Sequence, residues 1–160
     1  MDEVEILVGT MSGTADMVAD ELSSQLRKKK IACRVRDMSE CTPAALRPGP
    51  YFIICTATYG EGDLPDNAQP LYDAIVAAAP NLSGVRYGVI CLGDKIYPTT
   101  FCGAGKRFDA MLASFGAERV GERMENDASA GFFADEAAVE WLGGWLAACA
   151  QAETPVASGG

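Results

Sequence analysis

Small hydroxyl residues and glycine gather where an apolar strand gives way to an amphipathic helix. The run Thr10, Met11, Ser12, Gly13, Thr14, Ala15 follows the strand Val4–Val8 and precedes Val18, Ala19, Leu22 and Leu26 at helical spacing. Such a turn leaves backbone N–H groups at a helix N-terminus, where the helix dipole favours an anion. Hydroxyls and amides together can cradle a phosphate without Lys or Arg. Simple capping of the helix by Thr10 or Ser12 is the competing reading. Two later loops favour the phosphate. One runs from Thr56 through Ala57, Thr58, Tyr59, Gly60 and Glu61 to Asn67, after the apolar run Tyr51–Cys55. The other runs from Cys91 through Leu92, Gly93, Asp94, Tyr97, Phe101 and Cys102 to Gly103, after Tyr87–Ile90. Each places one tyrosine in a glycine-bearing loop after a strand, the edge where open α/β sheets bind ligands. A phosphate cradle and two aromatics at one edge suit a flat ring with a phosphate tail.

The elements that must position these loops alternate strand and helix. That order implies parallel strands with right-handed crossovers. The second strand is expected at Ala32–Arg36, after the cations Arg27–Lys30 that suit a helix C-terminus. A short helix is expected between Thr42 and Leu46. Leu71, Tyr72, Ile75, Val76 and Ala79 mark the third helix, and Phe108, Met111, Leu112 and Phe115 the fourth, ended by Gly116. Arg119–Arg123 reads as a weak fifth strand at an edge. Asp135 is expected to cap a last helix buried through Val139, Leu142, Leu146 and Cys149, with Trp141 and Trp145 adding bulk.

The three loops resemble the flavodoxin family, which binds flavin mononucleotide (FMN). The wording T-A-T-Y-G-E-G-D followed by D-N-A-Q is similar to FMN domains of diflavin reductases such as cytochrome P450 reductase. The ending F-C-G-A-G is similar to free-standing short flavodoxins of the MioC type. The resemblance implies an α/β fold, a flavodoxin-like doubly wound five-stranded parallel sheet in the order 2-1-3-4-5, with helices on both faces. No long insertion lies between Gly116 and Asp135, so the short-chain form is expected. The FMN-binding domain is expected over residues 1–152, with 153–160 a disordered tail or linker.

The resemblance also implies roles. Thr10, Ser12 and Thr14 would bind the phosphate by hydroxyls, Met11 by its N–H alone, with Gly13 admitting close approach and Ala15 matching the diflavin-reductase form. Tyr59 and Tyr97 would sandwich the isoalloxazine ring, an aromatic contact contributing about 0.5–1.5 kcal/mol beyond burial. Gly60 would turn its carbonyl toward flavin N5 on one-electron reduction, a movement glycine permits. Leu92, Gly93 and Asp94 would meet the N1/O2 side. Three residues separate Tyr97 from Phe101 where the family pattern has two, which implies a bulge before Phe101 and Cys102. A carboxylate such as Glu61, Asp63 or Asp94 about 6 Å from a reduced flavin would cost about 3 kcal/mol, on the order of 100 mV for one electron. That implies a low-potential carrier.

Bulk properties set limits on partners. One domain fits 160 residues that are 49% hydrophobic. The net charge of −9 opposes nucleic acid and favours a basic docking partner. No apolar run reaches the ~20 residues of a membrane span. The acidic start Met1-Asp-Glu-Val-Glu5 is unlike a signal peptide, so a cytoplasmic protein is expected; a monomer is also expected. Six cysteines without C-x-x-C spacing read as reduced thiols, and no metal site is expected. Without histidine, side-chain acid–base catalysis is disfavoured, and no catalytic residue is assigned. A receiver domain and a P-loop nucleotidase are excluded by the residues after strands one and three and by the missing Gly-Lys-Ser/Thr. The expectation is a one-electron shuttle between an NAD(P)H-dependent flavoprotein reductase and redox acceptor proteins. An NAD(P)H:quinone oxidoreductase, or an FMN domain excised from a diflavin reductase, are the alternatives.

Overall fold

The computed structural model describes residues 3–10, 13–58, 63–93, 102–127 and 134–153. Four long parallel strands make the centre: β1 (Glu3–Gly9), β2 (Ala32–Asp37), β3 (Tyr51–Ala57) and β4 (Arg86–Gly93). β3 is buried at every position, as its unbroken apolar run requires of a strand covered on both faces. The strand order is β2-β1-β3-β4-β5, with all neighbours parallel. The expected 2-1-3-4-5 sheet is therefore present.

Each face of the sheet carries its own core. On one face Val4, Ile6, Val8, Ile53 and Cys55 pack with α1 (Thr14–Lys28) and α4 (Ala134–Glu153). On the other, Leu7, Phe52, Ile54, Tyr87 and Val89 pack with α2 (Gln69–Ala78) and α3 (Gly103–Ser114). Two short 3₁₀ turns, Met38–Glu40 and Pro43–Ala45, follow β2, the second where a short helix is expected. On α1 the expected residues Val18, Ala19, Leu22 and Leu26 are all fully buried.

Four details differ from the sequence reading. The fifth strand is split into β5 (Glu118–Arg119) and β6 (Met124–Asp127), both paired to β4, with 120–123 between them. Gly121 turns the chain at φ 71°, and Arg119 and Arg123 both reach the buried Asp109 of α3. The Trp141 indole donates to the Glu122 carbonyl at 2.9 Å, holding the interruption against α4. On α4 the fully buried stripe is Ala138, Leu142, Trp145 and Cys149, whereas Val139 and Leu146 are half-buried. The Trp145 ring requires the missing side chain of Gly88, since a Cβ there would lie 2.4 Å from its indole nitrogen. Asp135 falls within the first turn of α4, not at its cap. On α2, Val76 is exposed and Ala79 closes the helix in the left-handed conformation.

Candidate functional site

Gly9, Ala57 and Gly93 end their strands at one edge of the sheet, so the three sequence-marked loops leave the sheet from the same edge. Gly9 packs tightly, because a Cβ on it would meet the Thr56 hydroxyl at 2.8 Å and Ala68 at 3.0 Å. Beyond it Thr10 begins the first loop, and its hydroxyl accepts the Gly13 N–H at 3.1 Å. That hydroxyl therefore stabilises the turn and does not cap α1. Gly13 sits at the helix N-cap with φ 88°, a left-handed conformation that favours glycine. Gly13 brings no side chain to cap the helix, and among the described residues nothing lies within 4 Å of where a Gly13 side chain would stand. Thr14 is exposed and Ala15 fully buried, the latter accepting a 3.7 Å contact from the Cys55 thiol at its carbonyl. A helix start behind a left-handed glycine is a shape that fits an anion.

The second loop is clamped to the first by Asn67, to which the sequence reading gave no role. The Thr10 N–H donates to the Asn67 carboxamide oxygen at 2.8 Å, while the amide nitrogen donates to the Val8 carbonyl and to the Asp37 carboxylate at 3.0 Å. The ends of β1 and β2 are thus tied to the second loop by one side chain. Burial would raise the Asp37 carboxyl, but hydrogen bonds from Ser39 and Asn67 outweigh it and hold the pKa below the usual aspartate value. Asp16, in the first turn of α1, is pushed the other way by burial and by Asp37 and Asp20 nearby. These carboxylates leave the cradle in a negative surrounding.

Thr56 is fully buried and its hydroxyl donates inward, to the Ala57 carbonyl at 3.0 Å. The Thr58 hydroxyl accepts the Ala104 N–H at 3.3 Å, joining the second loop to the start of α3. Ala57 and Leu92 are buried, and Gly93 is half-buried at the edge. Cys102, the left-handed N-cap of α3, is fully buried. Its hydrogen bond to the Cys91 thiol, with burial, pushes Cys91 far above the ordinary thiol range. Burial, with Asp16 nearby, pushes the Cys55 thiol up to about 12. Neither Cys55 nor Cys91 is tuned as a nucleophile. β6 brings Asn126 and Asp127 opposite Leu92 and Gly93, two positions the expected strand did not place at this edge. Met11, Ser12, Tyr59, Gly60, Glu61, Asp94, Tyr97 and Phe101 lie outside the described residues.

Removal of the clamp gives a direct test of its role. Asn67→Ala takes away the partner of the Thr10 N–H, and a hydrogen bond of this kind is worth about 0.5–1.5 kcal/mol. The expected outcome is weaker ligand binding by up to about tenfold. An NMR titration of the same variant should also show a higher Asp37 pKa, since that carboxylate loses a donor.

Comparison with known proteins agrees with this architecture. Residues 6–141 match the family model for flavodoxin. The chain is 37% identical over 145 residues to flavodoxin YqcA of Escherichia coli, covering 91% of this chain and 97% of that protein. It is 32% identical to the protein MioC of Escherichia coli, covering 91% of this chain and 97% of the relative. It is 35% identical to the flavoprotein alpha-component of NADPH sulfite reductase of Bacillus subtilis, covering 90% of this chain but 23% of that longer protein. Among solved structures, a cysteine-to-alanine mutant of flavodoxin from Pseudomonas aeruginosa superposes with a TM-score of 0.80 at 34% identity, covering 91% of this chain and 97% of that one. The chain belongs to the flavodoxin family, the FMN-binding electron-transport proteins whose α/β fold it shares.

Proposed function

We propose that this chain is a low-potential one-electron carrier, taking electrons from a basic NAD(P)H-dependent flavoprotein reductase and delivering them to acceptor redox proteins. The observation that carries the reading is the start of α1 behind left-handed Gly13, with no described atom within 4 Å of where its side chain would stand, at the sheet edge where β1, β3 and β4 end. When bound, FMN supplies a ring that takes up and returns electrons singly.

The chain's own residues hold and tune it. Thr10, Met11, Ser12, Gly13, Thr14 and Ala15 form the phosphate loop, and the absence of Lys or Arg from that run leaves the phosphate charge unneutralised by side chains. Tyr59 and Tyr97 flank the ring, with Gly60, Glu61, Leu92, Gly93, Asp94 and Phe101 around it. Thr56, Thr58 and Cys102 serve by support, since the hydroxyls and the thiol are engaged within the protein. Nearby carboxylates oppose added negative charge, which lowers the potential. Residues 1–152 act as one FMN-binding unit, a cytoplasmic monomer. Among the described residues no helix is long and apolar enough to cross a membrane.

Docking follows from charge. Asp63 and Asp66 are exposed beside the second loop on a chain of net charge −9. With Glu61 and Asp94 they form the acidic rim that meets the basic reductase. Added salt is expected to slow reduction by that reductase, because exposed charges are screened over about 8–10 Å. The double variant Asp63→Lys, Asp66→Lys should slow it about tenfold at low salt while FMN stays bound. Stopped-flow reduction measures both. Rapid NADPH oxidation by this chain alone with a quinone acceptor would instead establish the oxidoreductase alternative.

A further inference from the structure

The end of α1 and the outer strand β2 carry a charge opposite to that of the whole molecule. Arg27, Lys28, Lys29, Lys30 and Arg34 belong to the 13 lysines and arginines of a chain whose net charge is −9, and all five are exposed. None of them forms an ion pair among the described residues, in contrast to Arg36 on the same strand, which pairs with Glu5. Arg27 and Lys28 complement the negative end of the helix dipole. Charges on a sheet edge also discourage unwanted pairing. Neither effect accounts for the shape beside them.

Between α1 and β2 runs an open groove of about 910 Å³. Arg27, Lys28 and Arg34 line it, with Asp20 the acid among its lining residues. Cys33 and Val35 add apolar surface, and Val35 is 37% exposed, an unusual position for a large aliphatic side chain in this protein. β2 is the last strand on its side of the sheet and pairs only with β1 among the described residues. Its outer backbone edge is therefore available to another strand.

We propose that this groove docks an extended acidic segment of a partner protein, laid along β2 as an added strand. Its carboxylates meet Arg27, Lys28 and Arg34, and an apolar side chain covers Val35. Strand addition supplies backbone hydrogen bonds, while alternate side chains supply selectivity. A short acidic segment suits the site better than a nucleic acid, because a long polyanion would extend from the small basic groove over the acidic remainder. The cations Arg27 and Lys28 sit at the far end of α1 from the cofactor edge, since its 15 residues place the two helix ends about 22 Å apart.

The test is fluorescence anisotropy of the FMN-loaded protein with a labelled eight-residue peptide alternating Glu and Val. One-to-one binding that weakens with salt is expected. Arg27→Glu with Arg34→Glu should reduce affinity by about tenfold or more, with unchanged far-UV circular dichroism and bound FMN. Lys106→Glu, on the exposed side of α3, should have no such effect. A peptide methylated on alternate backbone nitrogens should lose binding if it adds as a strand. Absence of binding, an unaltered affinity in the double variant, equal binding of the methylated peptide, or equally tight binding of a short DNA duplex would each overturn the proposal.

Discussion

Replacing Ser12 and Thr14 together by alanine is expected to weaken FMN binding at least a hundredfold, roughly, and riboflavin binding very little. In the proposed cradle the two hydroxyls donate to a charged phosphate, and a hydrogen bond to a charged group is worth about 1.5–3 kcal/mol. The cradle contains no lysine or arginine, so no side-chain cation takes over when they are removed. The helix dipole and the backbone amides behind Gly13 remain, which is why binding falls without vanishing. Calorimetric titration of the apo-protein with each flavin measures the difference. An equal loss for both ligands would show that the hydroxyls act through the loop as a whole and not on the phosphate.

The largest effect on stability is expected at Glu5. It lies in a central strand and is fully buried, a position a carboxylate occupies only with partners. Arg36 from β2 reaches one oxygen at 3.3 Å, and Arg47 reaches the other at 2.5 Å. Removing both cations, as Arg36→Ala with Arg47→Ala, strands a buried charge and should cost about 3–5 kcal/mol in urea unfolding. Adding Glu5→Gln to that variant should recover part of the loss, because a buried neutral amide is less costly than an unpaired carboxylate. Failure of the third substitution to recover anything would mean that the arginine stems, and not their charges, provide the stabilisation.

The parts of this fold legible in the sequence are those fixed by local pattern. The apolar run Tyr51–Cys55 admits only a strand covered on both faces, and Val18, Ala19, Leu22 and Leu26 define one face of α1 unambiguously. The buried face of α4 was half legible: Leu142 and Cys149 are buried as expected, but Ala138 and Trp145 complete the stripe in place of Val139 and Leu146, because alanines and large apolar residues surround that helix. Which stripe turns inward is settled by Gly88, whose missing side chain receives the Trp145 ring from a strand far away in sequence. The split of the last strand has a similar origin. Asp109 draws Arg119 and Arg123 to α3 on either side of the turn at Gly121, and nothing in the run Arg119–Arg123 announces that partner.

The candidate site divides the same way. Hydroxyl and glycine types marked the phosphate loop and the two tyrosine loops. The clamp by Asn67 spans 57 residues to Thr10 and 30 to Asp37, so its role emerges only when the strand ends are brought together. The inward turn of the Thr56 hydroxyl is equally a product of packing, since it fills the space above Gly9. Residue type thus identified the edge, while tertiary contacts decided which side chains at that edge hold the loops.

The measurement that tests the account most directly is an anaerobic potentiometric titration of the FMN-loaded protein, followed by visible absorbance. Two separated one-electron couples, with long-wavelength absorbance greatest near half reduction, are the predicted result for a carrier that moves electrons singly. A single two-electron wave, with no such absorbance at any point, would contradict it.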